Sequence, residues 1–400
     1  MSKREALIAI LIAFAVGLLA AGSLGRDRPD RSLLAREHGQ DGTRPSVPML
    51  RWRVTSAFGT HLPSLGENPV DIATRLRAAS GGRIDWTIDD PGEVVPAFAI
   101  VEAVRAGKIE AGYTWLGYDQ GRLAASVLFG AVPFGMTPWE YMAWWVRGGG
   151  IELAREIYRP LGIEPILCGI IGPETAGWFR TEIEKPEDLE GLKIRFAGLG
   201  GRALQKLGAS VTMMPGGEIF QALEKGAIDA TEFSLPEVDS RLGFDRVARF
   251  NYFPGWHQPH TAFHLVVHKP TWDALPKTTQ AMIELACGNG VYRNLAIAEA
   301  SQGPVIAGFV GSGVETRTLS PALLTALEAA VYEVLEEESA ADPDFARILA
   351  HQNAFRVEYA RWRRLAYPQA DAPQPDASAA RSPSADDLRH SSANGAKDGR

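Results

Sequence analysis

Cysteine is nearly absent: the 400 residues include only Cys168 and Cys287. Two thiols so far apart in sequence make neither a disulfide scaffold nor a thiolate metal site. They read as buried thiols, with a single bridge between them as the alternative. A basic excess is missing as well. The 41 Lys and Arg stand against 48 Asp and Glu, a formal charge of −7. Nothing there would release counterions from nucleic acid, so no nucleic-acid partner is expected. Long apolar runs occur at one place only, which excludes a multi-span membrane protein. Neither a G-x-S-x-G nucleophile elbow nor an H-E-x-x-H zinc motif occurs, which counts against serine hydrolases and metalloproteases. What the chain does have is 46% hydrophobic residues, enough apolar material for two large lobes and too much for a disordered chain.

The apolar run lies at the start. Lys3 and Arg4 precede uncharged residues from Ala6 to Ala21, with small residues through Ser23. Residues 1–25 read as a secretory signal cut after Gly22, or as an uncleaved anchor, because the run approaches the ~20 residues that span a bilayer. On both readings the folded part works outside the cytoplasm. Residues 26–47 read as a linker. Residues 369–400, made of Ala, Pro, Ser, Asp and Gly, lack the large apolar side chains that offset ordering entropy, and a disordered tail is expected there.

Between these ends, short apolar strands alternate with amphipathic helices, the pattern of an α/β fold. Strands are expected at Trp52–Ser56 and around Ile84–Ile88, helices at Asn68–Ala79 and Ala97–Arg105. One unit occurs twice. Ala103–Ala111 (AVRAGKIEA) aligns without a gap on Ala222–Ala230 (ALEKGAIDA), 119 residues later. In each copy a helix stops at a glycine suited to a left-handed cap, and a strand starts at Ile. Two similar lobes would end such strands at a shared cleft, where ligands of open α/β sheets sit. That makes Tyr113 and Glu232-Phe233 cleft candidates. Further on, Pro321–Glu338 and Asp344–Tyr367 read as two long helices, the second carrying an apolar stripe from Phe345 to Leu365.

Three constellations could carry chemistry. Arg195 sits in the middle of the apolar positions of the strand read at Gly191–Gly198, and its planar fork needs an anion, either an internal carboxylate or that of a ligand. Gly198-Leu199-Gly200-Gly201-Arg202-Ala203 matches G-x-G-x-x-A, with Glu218 at the distance of a ribose-binding acid. A dinucleotide unit should open its domain, however, and this one comes after nearly 200 residues. His257, His260, His264 and His268 are close enough in sequence for a zinc site to be considered.

Taken together, the runs IGPETAGWFRTE (171–182), GLKIRFAG (191–198), MPGGEIFQALEKGAIDATEF (214–233) and NYFPGW (251–256) resemble the solute receptors of TRAP transporters, the DctP-like periplasmic binding proteins. The likeness is to the subgroup binding 2-oxo acids and related small carboxylates, and it covers about residues 50–310. The resemblance implies an α/β, two-lobed periplasmic binding protein fold with a cleft between lobes and long C-terminal helices. Lobe I would take residues 48–170 and 260–305, and lobe II residues 171–259 and 306–368, the last stretch including the C-terminal helices. It also implies a periplasmic receptor, not an enzyme, that captures a small organic carboxylate, a 2-oxo or 2-hydroxy acid, and delivers it to the TRAP membrane permease.

By the same resemblance Arg195 clamps the solute carboxylate, with Glu174 and Phe233 beside it, and Tyr113 joins them as the cleft candidate of the duplicated unit. A cation, Ca²⁺ or Na⁺, would bridge solute and protein through Glu174, Glu232, the main-chain carbonyl of Phe233, and Gln258. Two positions depart from the subgroup: Glu174 replaces a usual Gln, and Phe233 a usual Trp. The extra carboxylate favours Ca²⁺, and without a metal Glu174 and Glu232 would repel each other. A homodimer through the C-terminal helix is expected from relatives that exchange it. The rival reading is a metal- or dinucleotide-dependent enzyme acting on a small carboxylate.

Overall fold

The computed structural model describes residues 48–367. The signal or anchor, the whole of the expected linker, and the expected tail lie outside the described residues. Among the described residues no helix is long and apolar enough to cross a membrane.

Two sheets organise the chain. The first combines β1 (Leu50–Ser56), β2 (Ile84–Asp89), β3 (Ala111–Trp115), β4 (Ile163–Ile171) and, from far along the sequence, β10 (Thr261–His268), in the order β2-β1-β3-β10-β4. β1 runs parallel to β2 and β3, while β10 is antiparallel to both neighbours. The second sheet combines β5 (Gly177–Phe179), β6 (Lys193–Arg195), β7 (Ser210–Thr212), β8 (Ala230–Thr231), β9 (Phe250–Phe253) and β11 (Glu315–Thr318), in the order β11-β9-β5-β8-β6-β7. The chain thus passes from one sheet to the other after Ile171 and returns before Thr261. The two-lobed α/β expectation holds.

Helices cover the sheets: α1 (Glu67–Ala79), α2 (Ile100–Arg105), α3 (Pro138–Arg147), α4 (Gly150–Tyr158), α5 (Gly198–Lys206), α6 (Gly216–Glu224), α7 (Pro236–Arg241), α8 (Lys269–Asp273), α9 (Lys277–Ser312), α10 (Pro321–Ala341) and α11 (Pro343–Ala366). β4 is buried along its whole length, packed by α4 and α9, which is how a near-continuous apolar strand reads. Its one charge, Glu164, accepts from Arg155 Nε at 2.8 Å and Arg159 Nε at 2.6 Å. The same packing corrects the expectation of free thiols. Cys168 in β4 and Cys287 in α9 form a disulfide, as suits a protein of an oxidising compartment.

The duplicated unit is present in both sheets. Gly107 (φ +66°) and Gly226 (φ +68°) are left-handed. The N–H of Lys108 bonds Ala103 O and that of Ala227 bonds Ala222 O, each at 2.9 Å. This is the same six-to-one helix stop twice. The strands begin at Ala111 and Ala230, two residues later than expected, because Ile109 and Ile228 are buried in the connecting turns.

The two C-terminal helices are separated by Asp342, whose carboxylate accepts from the N–H groups of Asp344 (2.8 Å) and Phe345 (2.9 Å), an N-cap followed by proline. α11 packs its first half on its own chain: Phe345 and Ile348 are fully buried, and Gln352 Nε2 donates to Leu128 O at 2.7 Å. Its second half is uncovered, with Trp362 61% and Leu365 87% exposed.

Candidate functional site

The site grows from the carboxyl ends of adjacent parallel strands. Arg195 closes β6 and pairs in register with Thr231 of β8, so Glu232 leaves its strand beside the arginine. Arg195 Nη1 donates to Glu232 Oε2 (2.7 Å) and to Glu232 O (2.6 Å), and Nε donates to Met214 O at 3.3 Å. Both side chains are 1% exposed. The internal carboxylate partner is therefore present, and Arg195 is not an open fork. Its Nη2 edge takes no part in these bonds. Phe233, next in sequence, lies with its ring 5.3 Å from the Arg195 guanidinium.

The segment after β4 brings the second acid. Glu174 N–H bonds Gln258 O at 3.2 Å, Thr175 N–H bonds Ser234 O at 3.2 Å, and Ala176 N–H bonds Tyr252 O at 2.7 Å. This suture needs a glycine: a Cβ at Gly255 would stand 2.0 Å from Glu174 O. Glu174 Oε1 accepts from Thr261 Oγ1 (2.8 Å), and Gln258 Nε2 donates to Glu174 Oε2 (2.8 Å) and Glu232 Oε1 (3.2 Å). Gln258 thus presents its amide nitrogen to the two acids, where a metal ligand would present its carbonyl.

His257 faces the same two oxygens. Its Nε2 is 3.4 Å from Glu174 Oε2 and 3.5 Å from Glu232 Oε1, ion-pair distances without a well-aligned hydrogen bond. Burial lowers the imidazole pKa, but the two carboxylates outweigh it and hold the group at about 9. Burial likewise raises Glu232, and Arg195 with His257 brings it below its ordinary value. Glu174 stays raised by burial and the charge of Glu232, against the opposing pull of His257. The expected repulsion between the acids is therefore relieved by a buried imidazolium. Glu174, Glu232 and His257 bring one ligand atom each to within 4.8 Å of one another. Two desolvated carboxylates at that spacing fit a small hard cation.

Other expectations divide. Glu174, Arg195, Glu232, Phe233 and Gln258 come together around a cavity of about 20 Å³. Tyr113 is not among them. Its hydroxyl accepts from Asn68 Nδ2 at 2.8 Å inside the first sheet's core, and the tyrosine at the cavity is Tyr118. The histidine cluster is dispersed: His260 Nδ1 meets Met136 O at 2.9 Å, His268 Nδ1 meets Thr271 at 3.0 Å, and His264 packs on Trp145. Burial holds His260 at about 4 and His264 at about 3. The glycine turn opens α5 as expected, but Gly200 is there to pass Phe196 and His257, and Glu218 is an exposed residue of α6. Tyr118, Ser234, His257 and Thr261 are the site residues that spacing did not single out for this role. A polar residue one or three places from Gln258 was the only available signal for the last two.

The DctP family model, bacterial extracellular solute-binding protein family 7, matches residues 63–341. The chain belongs to this family. It is 32% identical over 320 residues, 80% of this chain and 87% of the other, to a monocarboxylate 2-oxoacid-binding periplasmic protein of Nostoc sp.. A TRAP transporter solute-binding protein of Bordetella bronchiseptica, a mixed-occupancy dimer with co-purified calcium and picolinate, superposes with a TM-score of 0.78 at 31% identity, covering 80% of this chain and 95% of that one. A TRAP periplasmic solute-binding protein of Pseudoalteromonas atlantica with bound sodium and pyruvate gives 0.76 at 33%, covering 79% and 97%. This DctP-family chain is a TRAP-type solute-binding receptor and not an enzyme, which removes the dinucleotide and metal-enzyme reading.

Proposed function

We propose that this receptor captures a 2-oxo or 2-hydroxy monocarboxylate at Arg195, with Glu174, Tyr118 and Phe233 as the surrounding walls, and hands it to a TRAP permease. The observation that carries the reading is a fully buried guanidinium and two buried carboxylates meeting at strand ends between two sheets. Capture means closure driven by contacts made only in the shut state, with no bond formed or broken. Relatives that hold calcium or sodium together with picolinate or pyruvate support a bridging cation here. Glu174, Glu232, the carbonyl of Phe233, and Gln258 with its amide turned would hold it. Bound there, the cation supplies the positive charge that lets a solute anion lie beside two carboxylates. Without it, Arg195 and protonated His257 already balance Glu174 and Glu232, and an incoming anion adds an uncompensated charge.

The test is calorimetric titration of pyruvate and lactate into chelator-treated protein, then with Ca²⁺ or Na⁺ restored. Saturating solute should add about 2.7 kcal/mol of stability at a hundredfold excess over Kd. Equal affinity with and without the cation rejects the bridge, and no binding of any small carboxylate rejects the reading.

The partner reading extends to a homodimer. A groove of about 870 Å³ runs between α3, β4 and α9, bordered by Trp139, Met142, Ile166, Val291 and Leu295. The uncovered end of α11 presents matching apolar side chains, and the same end from a second copy is the occupant. Light scattering behind size exclusion should give a dimer that Trp362→Asp with Leu365→Asp converts to a monomer. A monomeric wild-type protein rejects it.

A further inference from the structure

Asp239 is a buried carboxyl for which the capture of a solute has so far supplied no use. It stands in α7, the short helix that follows the strand end carrying Glu232, and is 0% exposed. Its Oδ2 accepts from Trp178 Nε1 at 2.8 Å, and its Oδ1 accepts from the Ser234 N–H at 3.1 Å. No cation is among these partners. Burial, with the nearby charges of Glu174 and Glu232, pushes its pKa well above the ordinary carboxylate value. Burying such a group is expensive, so what its bonds hold matters.

They hold the peptide between Phe233 and Ser234. That bond is trans, and in a trans peptide the N–H and C=O point in opposite directions, so an acceptor that fixes the Ser234 N–H also fixes the aim of the Phe233 carbonyl. Among the described residues no turn or loop N–H donates to Phe233 O. Ser234 is held on its other side as well: its carbonyl accepts from the Thr175 N–H at 3.2 Å, and Thr175 directly follows Glu174. One carboxyl thus anchors two segments of the site. It is itself fixed by Trp178, a fully buried residue of β5 whose ring meets Phe309 of α9 edge-on at 5.3 Å.

We propose that Asp239 is a positioning residue of the cation site: by accepting from the Ser234 N–H it aims the Phe233 carbonyl, and through the Ser234–Thr175 bond it steadies Glu174. The proposal rests on the cation-bridged reading and adds to it a residue that touches neither cation nor solute. The same hydrogen bond polarises the peptide, which makes its carbonyl a stronger ligand.

The experiment compares Asp239→Leu with Asp239→Asn, each combined with Trp178→Phe so that no indole N–H is left without an acceptor. Leu and Asn both branch at Cγ as Asp does, so the two variants differ mainly in whether an acceptor faces the Ser234 N–H. An apolar group of like shape in place of a buried charged one is generally tolerated, and Asp239→Leu alone repeats the measurement if Trp178→Phe does not fold. Calorimetric titration reads Ca²⁺ affinity without solute, then pyruvate affinity at low and at saturating Ca²⁺, with Na⁺ as the probe if the wild type responds only to that ion. Asp239→Leu should weaken cation binding by about tenfold or more, the scale of losing a partner behind a metal ligand, while Asp239→Asn stays within about threefold. In the Leu variant pyruvate affinity should fall at low cation and return to within about twofold at saturation, a recovery that general damage to the fold would not show. Equal cation affinity in the Leu and Asn variants, or pyruvate binding that saturating cation does not restore, overturns the positioning role alone. A wild-type protein that binds pyruvate equally with and without the cation overturns the bridge and this proposal with it.

Discussion

The helix-glycine-strand unit is built twice, and the two copies lead into entirely different surroundings. After Gly107 the chain enters β3 and places Tyr113 among Asn68, Phe58 and Phe263. After Gly226 it enters β8 and places Glu232 against Arg195, Gln258 and His257. The backbone bonds of the two stops match to within 0.1 Å for the same pairs. The duplicated part is thus a device for ending a strand at the cleft, and it carries no chemistry of its own. One lobe supplies most of the aromatic walls, the other the charges together with the Phe233 ring. Substitutions at equivalent places in the two copies should therefore separate cleanly into stability effects and binding effects.

The largest effect is expected at the charged copy. Arg195→Met removes the solute's cation and leaves Glu232 buried without its partner. Carboxylate affinity should fall by about a hundredfold or more, and urea denaturation should show a loss of about 3–5 kcal/mol. The double variant Arg195→Met with Glu232→Gln should recover much of the stability and none of the binding, since the two residues share one ion pair. Near-native affinity in either variant would remove Arg195 from the site.

A covalent tie distinguishes the lobes as well. The disulfide joins β4 to α9 on the first lobe, across 119 residues of chain. With no other cysteine in the sequence, the second lobe has no counterpart. Replacing both cysteines by Ala should cost about 2–4 kcal/mol, since the bridge restricts a long loop of the unfolded chain. Solute affinity should stay within about threefold, because neither sulfur touches the cavity. Chemical denaturation and calorimetric titration on the same variant check both halves of the statement.

His257 sharpens the comparison through pH. Its pKa rises from 6.5 unfolded to about 9 in the chelator-treated protein. The stabilisation is fully present below pH 6.5 and is lost as pH rises through 9, a change on the order of a few kcal/mol. His257→Gln should flatten the dependence of stability on pH over that window. A slope that survives the substitution assigns the titration to another group.

The sequence carried the strand order of neither sheet, but it did carry the parts that local chemistry determines. Glycines forced into left-handed caps, a cation stranded in an apolar strand, and a proline break between two long helices are all decided within a few residues. Cys168 and Cys287 meet only because α9 lies across β4, a contact invisible to spacing. The four histidines looked like one cluster because they are close in sequence. A strand and a turn send them into different surroundings, and only His257 reaches the acids. Tyr118 escaped because a 3₁₀ turn has neither of the periods that separate buried from exposed faces.

The smallest expected effect tests the quiet copy. Tyr113 was the residue that duplication nominated for the cleft, and its hydroxyl instead accepts from Asn68 Nδ2, which also donates to Cys168 O at 2.9 Å. Tyr113→Phe keeps the ring packed and removes one hydrogen bond from a donor that retains its other partner. The loss should be about 1 kcal/mol of stability, with solute affinity within about twofold because the hydroxyl faces the first lobe's core. Tyr118→Phe in parallel should do the reverse, leaving stability nearly unchanged and altering affinity because the Tyr118 side chain borders the cavity. If Tyr113→Phe changed affinity and Tyr118→Phe did not, the two copies would be equivalent at the cleft after all, and the division of walls from charges would fail.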